Sequence, residues 1–290
     1  MNDIELMFSV QSQLMTEVAC NVSVLISTYA SEKAQWLAEA LESLFAQSVT
    51  PDQLVLVVDG PIASDQEVVI AQYQNDPRIQ SVEIVRLSSN QGLANAMNAG
   101  LAVCKGKWIM RMDSDDVCHV DRLAIQLDYV DKYPDVDIFS SWSEEFSDED
   151  SAVLVKASPI EHDAIVNALR WRNVIVHPSN LIRASTLRRL EGYRAKYGKL
   201  EDYDLYVRMA LAGARFRVIP AKLVRQRVSH ASCARRGGWR YIIGEFRFRI
   251  FCLQSGFLNV RQFLLITISY TMFRLVGAGI RGWLYRFTRA

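Results

Sequence analysis

The 290-residue sequence predicts an α/β fold: a mostly parallel central sheet flanked by helices, with amphipathic helices appended at the C-terminus. Three observations predict it. Between residues 22 and 113, four short apolar runs alternate with three stretches of helical periodicity. The runs are predominantly apolar rather than strictly alternating, as expected for strands of a parallel sheet covered on both faces. From Trp239 onward the pattern is helical and strongly basic.

The first run, Val22 to Ser27, ends at polar Thr28 and Tyr29, and helical spacing follows through Trp36, Leu37, Ala40, Leu41, Leu44 and Phe45. The second, Leu54 to Val58, ends at Asp59-Gly60 and precedes a helical stretch over 64–74. The third, Val82 to Val85, leads through Asn90 into a helix over 91–103, and the fourth, Trp108 to Met112, ends at Asp113. Right-handed crossovers join such strands, and ligands sit beyond their carboxyl ends. Polar residues gather at all four ends, which predicts one shared crevice. After Pro134 an extended piece over 137–142, a helix near 161–171, a His177-Pro178 turn and a helix from about 202 to 212 predict a mixed second half on the same sheet.

Half the residues are apolar and 22% are charged, the balance of a folded chain rather than a disordered or multi-span one. The net charge of +1 conceals an asymmetry. Residues 235–290 hold ten Arg, no Lys and one acid, Glu245, so this segment carries +9 and the rest −8. No nucleic-acid partner is expected of the acidic body, whereas the basic, aromatic tail suits an anionic surface, membrane phospholipid first. Its longest uncharged run, 262–273, would rise only about 18 Å as a helix, short of the roughly 30 Å of a bilayer core. An interfacial anchor is therefore expected, with Arg274 and Arg281 on one face and Phe263, Leu264, Ile266, Tyr270, Phe273, Trp283 and Tyr285 as its apolar surface. Packing on the protein or on a second copy is the alternative. Five scattered cysteines without a CxxC pair indicate neither a disulfide framework nor zinc, and fit a reducing cytoplasm. Residues 1–20 lack the pattern of a secretory signal and read as a leader.

Asp113-Ser-Asp-Asp116 places three carboxylates in four residues at a strand end. Such charges repel unless a cation sits among them, and hard oxygen ligands suit Mg2+ or Mn2+; a solvated turn or a cap for a helix near Asp121 is the plainer alternative. Glu201-Asp202 opens a helix, where acids either meet the macrodipole favourably or supply a general base. Asp59 can accept from a nucleotide base edge and Tyr29 can stack on its face, or both can be rim and turn residues. His177 and His230 are lone histidines, the latter near Arg235-Arg236, a pairing suited to a diphosphate. No GxGxxG follows the first strand, and neither GxxxxGK[ST] nor GxSxG occurs, which removes the main support for dinucleotide, P-loop and hydrolase readings.

Several stretches in order, VSVLISTYA from Val22, LVLVVDGP from Leu54, NQGLANAMNAGL from Asn90, WIMRMDSDD from Trp108, Arg122-Leu, His177-Pro, Gly192-Tyr, LEDYDLYVRM from Leu200 and RRGG from Arg235, resemble the family 2 glycosyltransferases, within them the amylovoran and exopolysaccharide subgroup. The resemblance implies a GT-A catalytic domain over 21–234 with a helical extension over 235–290. It further implies inverting transfer of a hexose from a UDP-sugar to a saccharide or polyprenyl-diphosphate-linked acceptor in surface polysaccharide synthesis. The enzyme would use Mn2+ or Mg2+ and lie peripherally on the cytoplasmic face of the inner membrane, with a homo-oligomer left open. Carried over by position, Thr28, Tyr29, Asp59, Asn90 and Asp113 would bind the donor nucleotide, Asp113 and Asp115 the metal, and Asp202 would be the base. Glu201, His177, Arg227, His230, Arg235 and Arg236 are further substrate contacts. Two departures stand out: Met97 where relatives carry Arg, and a single Asp59 followed by Gly60. A sugar nucleotidylyltransferase would show a Gly-rich basic signature that Ser27–Lys33 lacks, and a catalytically silent subunit would have lost the carboxylates.

Overall fold

The computed structural model describes residues 20–147, 153–228 and 239–275. The four apolar runs form β1 (Val22–Thr28), β2 (Gln53–Asp59), β3 (Ser81–Leu87) and β4 (Trp108–Asp113). They are parallel in the order β3-β2-β1-β4, with α1 (Ala34–Phe45), α2 (Ser64–Gln74) and α3 (Leu93–Val103) as crossovers. The register aligns Ser27 with Asp113 and Thr28 with Val58, so the carboxyl ends of these strands share one edge.

The pleat sorts the strands' side chains into two cores. Val24, Ile26, Leu56, Val58, Met110 and Met112 pack with α1, α2 and Leu123 of α4 (Arg122–Lys132). Leu25, Val55, Val57 and Ile109 pack with α3 and with α7 (Glu201–Leu211) on the other face. Met97 lies fully buried in that second core, so an Arg there would have no place.

Beyond β4 the sheet becomes mixed, as expected, and reaches nine strands among the described residues. β8 (Leu181–Arg183) pairs antiparallel with β4 and with β6 (Ile138–Phe146); β6 runs parallel to β9 (Phe216–Arg227), which takes β5 (Val117–Cys118) antiparallel at the edge. β7 (Leu154–Lys156) pairs with β6. The expected helices at 161–171 and 202–212 are α5 (His162–Leu169) and α7, and α6 (Ala184–Arg189) is a short addition. β9 was illegible because it carries charges and Pro220. The register skips from Ile219 to Lys222 against Ser141 and Trp142, an irregularity that accommodates a residue with no N–H to donate.

The tail forms α8 (Trp239–Gln254) and α9 (Val260–Leu275), separated near Gly256. No helix among the described residues is long and apolar enough to cross a membrane. Phe248 of α8 packs against Tyr203 of α7 with ring centroids 4.9 Å apart, and Tyr197 lies 5.5 Å from Phe248. The expected apolar surface of the anchor is corrected here. Ile266 is buried, Tyr270 lies under the Arg249 guanidinium and Phe263 is half-buried beside Phe246, because these residues occupy the side of α9 that faces the body. The side chains of Phe273 and Arg274, and Arg281, Trp283 and Tyr285 altogether, lie outside the described residues.

Candidate active site

A charged residue interrupts the apolar run of β4, and it organises the site. Strand alternation puts Arg111 on the same face as Ile109 and Asp113, toward α3 and α7. The Arg111 side chain is 1% exposed, and Nη2 forms an ion pair with Asp113 Oδ1. Its Nε and Nη1 are buried without a hydrogen-bond partner, so its charge acts on what surrounds it. Burial and that nearby cation hold His177 well below the usual histidine range. His177 Nε2 meets the Tyr193 hydroxyl at 3.1 Å, and its ring stands edge-on to Tyr193 and Tyr206.

The loop bearing Tyr193 is fixed from α7. Arg208 pairs with buried Asp204 at 2.7 Å and donates to the Leu190 and Gly192 carbonyls, each at 2.7 Å. From α3, Asn98 clamps Tyr193, accepting its N–H and donating to its carbonyl, both at 2.8 Å.

The turn after β4 brings one carboxylate oxygen each from Asp113, Asp115 and Asp116 within 4.8 Å of one another. Burial first, then Asp113 and Glu32, push Asp115 up to about 7. Burial followed by Asp113 and Asp115 raises Asp116 well above the carboxylate range. Asp116 Oδ1 accepts the Arg227 N–H at 2.8 Å, while Oδ2 is buried with no partner. Three crowded carboxylates and a partnerless buried oxygen fit a hard divalent cation. The turn does not cap α4: β5 intervenes, and Asp121 makes no side-chain cap to that helix.

Arg227, expected to face the donor, is committed elsewhere. Its Nε donates to the Asp115 carbonyl at 3.0 Å, its Nη2 pairs with Glu39, and its guanidinium lies 5.2 Å from the Trp36 ring and 4.6 Å from that of Phe146. Position 227 ends β9, which pairs with β5 directly after the turn and with β6, and this brings the side chain onto the turn, α1 and the end of β6.

Glu201 and Asp202 occupy the first turn of α7. Asp202 Oδ1 accepts the Tyr203 N–H at 2.7 Å and Oδ2 accepts Asn173 Nδ2 at 2.8 Å. Glu201 is pushed up to about 7 by burial and then by Asp202, with Asp113 adding to the rise and Arg111 opposing it. Tyr193 feels Arg111, Asp202, Glu201 and Asp113 together. The acidic turn and the α7 carboxylates therefore lie in one electrostatic field, as the shared crevice requires.

At the neighbouring strand ends, the carboxylate of Asp59 accepts the N–H groups of Gln91 at 2.6 Å and Gly92 at 2.9 Å, closing the start of α3. Asn90, which is exposed, donates to the Asp59 carbonyl at 3.3 Å. Gly60 has φ +85°, and a Cβ there would come within 2.5 Å of the Asn90 nitrogen, which explains why glycine follows a single Asp. Thr28 is buried and accepts from Gln66 Nε2 at 3.3 Å; the same amide donates to the carbonyl of partly exposed Tyr29 at 3.0 Å. His230, Arg235 and Arg236 lie outside the described residues. Arg111, Asn173, Tyr193 and the third carboxylate, Asp116, are members the sequence reading did not assign. An arginine inside WIMRM was the one visible signal.

The model of the family described as Glycosyl transferase family 2 matches residues 23–190. The chain belongs to that family. The transferase is 32% identical to the amylovoran biosynthesis glycosyltransferase AmsE of Erwinia amylovora, over 92% of its own length and 98% of that protein. It is 29% identical to an Escherichia coli UDP-Gal:alpha-D-GlcNAc-diphosphoundecaprenol beta-1,3-galactosyltransferase, over 94% and 98%. Among solved structures, residues 1–349 of S. aureus TarS bound to UDP superpose with a TM-score of 0.64 at 17% identity, covering 86% of the transferase and 70% of that chain. The mannosyltransferase PcManGT of Pyrobaculum calidifontis, with GDP-Man and Mn2+, gives 0.56 at 16%, covering 92% and 79%. The fold is that of the GT-A transferases, and the transferase carries their DxD-like acidic cluster on the turn after β4.

Proposed function

We propose that the transferase moves a hexose, Gal, Glc or an N-acetyl derivative, from a UDP-sugar to a lipid-linked diphosphosaccharide acceptor, with inversion, in exopolysaccharide, capsule or O-antigen synthesis. One observation carries the reading: the acidic turn and the Glu201-Asp202 pair share one electrostatic field at the carboxyl edge of the sheet. The nucleotide preference is supported by the UDP-sugar in the E. coli relative's name, and the acceptor by its diphosphoundecaprenol-linked GlcNAc.

In this reading Tyr29 stacks on uracil, while Asp59 and Asn90 meet its edge, Thr28 supports the strand end, and Asp113 lies near the ribose. Asp202 takes the proton of the acceptor hydroxyl as its oxygen attacks the anomeric carbon. The bond from that carbon to the diphosphate oxygen breaks, and its electron pair leaves with UDP. One in-line displacement inverts the configuration. Asn173 and the Tyr203 N–H keep the Asp202 carboxylate aimed, and Arg111 holds Asp113. A divalent cation, Mn2+ or Mg2+, held by Asp113, Asp115 and Asp116 would neutralise the charge developing on the diphosphate. His230, Arg235 and Arg236 are the sequence's remaining diphosphate contacts, and Glu201 and His177 support the sugar side. Residues 21–234 form the catalytic unit and 235–290 an extension that keeps the enzyme peripheral on the cytoplasmic face of the inner membrane.

Incubation with Mn2+, a panel of UDP-sugars and GDP-sugars and a GlcNAc-diphospholipid tests the whole reading. One donor should yield UDP and an extended lipid of inverted anomeric configuration. Retention of configuration, or a GDP-sugar as the sole productive donor, overturns it.

A further inference from the structure

α9 is apolar on its outward side as well as its inward one. Ile266 closes the core, yet Val260, Leu264, Leu265 and Ile268 point away from the body. α8 adds exposed Ile243 and Phe246, and the Phe246 ring meets that of half-buried Phe263 at 6.3 Å, so the two helices pack side by side. These six side chains are 42% to 63% exposed, and they are half of the twelve large exposed hydrophobics found among the described residues. A helix apolar all round belongs in a core or a membrane, and a contiguous exposed patch marks a contact surface.

Charge selects the occupant. The single acid of residues 235–290, Glu245, is turned inward against Arg249, 9% exposed. The exposed charged side chains described on the pair are Arg247 and Arg261. A second copy would bring one +9 segment against another, which repels, whereas phosphate headgroups neutralise the arginines while acyl chains receive the aliphatic row. Among the described residues neither helix is long and apolar enough to cross a membrane, so a bilayer would be met at its surface.

We infer that the outward face of α8 and α9 docks the transferase on an anionic lipid bilayer. The face is linked to the site: α8 presses Phe248 on Tyr203, the residue after Asp202, and Gly244 passes so close to the Tyr197 carbonyl that a Cβ would lie 2.7 Å from it. Docking thereby sets the height of the Asp202 carboxylate above the lipid, where a lipid-linked acceptor presents its sugar. That purpose rests on the proposed acceptor; the docking itself is measured without catalysis.

The test is flotation of the full chain with phosphatidylglycerol vesicles, with phosphatidylcholine vesicles as control, for wild type and the triple variant Leu264→Gln, Leu265→Gln, Ile268→Gln. Wild type should float with the anionic vesicles, and the variant's bound fraction should fall at least tenfold. Acceptor-independent hydrolysis of the donor should be equal in both, since no altered residue lies in the cleft. Wild type left unbound, a variant that binds as well, or a lipid-free dimer lost in the variant would overturn the inference. Vesicle binding without turnover on a lipid-linked acceptor would instead overturn the acceptor reading and leave the docking face standing.

Discussion

The backbone N–H of Arg227 donates to Oδ1 of Asp116 at 2.8 Å, and through this bond the last residue of β9 holds the acidic turn after β4. The same residue grips the Asp115 carbonyl, pairs with Glu39 and lies against Trp36 and Phe146. Three crowded carboxylates would spread apart if left to themselves; a planar cation outside the cluster keeps the turn closed. Arg227→Gln should weaken Mn2+-dependent UDP binding about tenfold, near 1.4 kcal/mol, and lower stability by about 1–3 kcal/mol. Arg227→Lys should restore part of the stability but not the affinity, because an ammonium lacks the fork and the stacking plane. Calorimetry and denaturant melts read both effects; unchanged affinity in the Gln variant contradicts the role.

Asp202→Asn keeps an oxygen for the Tyr203 N–H and so preserves the helix start, but it cannot accept a proton. Transfer should fall about 10²–10⁴-fold, while donor affinity stays within about twofold. Pre-steady-state turnover and donor calorimetry separate the two effects. Normal turnover would remove Asp202 from its role.

Glu201 carries a pH signature. Its ordinary value is 4.5 and burial beside Asp202 lifts it to about 7, so the folded state keeps a proton that the unfolded chain has released. Stability should therefore decline as pH rises from about 4.5 through about 7 and level off above. Glu201→Gln removes its own share of this decline and leaves that of Asp115 and Asp116. In chelator, urea melts should show the variant close to wild type near pH 4 and more stable by up to about 3 kcal/mol near pH 8. Parallel curves for the two proteins would contradict the assignment.

The parallel half of the fold was legible because β1, β2 and β4 are buried on both faces and announce themselves as predominantly apolar runs, interrupted by Ser23 and Arg111. Asp59, Asp113 and Asp115 drew notice for a related reason, since they sit where such runs stop, whereas Glu201-Asp202 drew notice as an acidic pair opening a helix. β5 was too short to register, and β9 is masked by its charges and by Pro220. Asn173 was hidden because its partner Asp202 is 29 residues away, and the hold of Arg227 on the acidic turn because it meets Asp116 across 111 residues. The inward and outward sides of α9 could not be told apart in the sequence, because its apolar residues are spread around its circumference and its packing orients it.

UDP calorimetry with and without Mn2+, in wild type and Asp115→Ala, tests the central claim most directly. The account predicts that wild type binds UDP at least about tenfold more tightly with Mn2+ than in chelator, and that Asp115→Ala loses this gain while remaining folded. Equal affinity with and without the metal in wild type, or a full metal response in the variant, would contradict it.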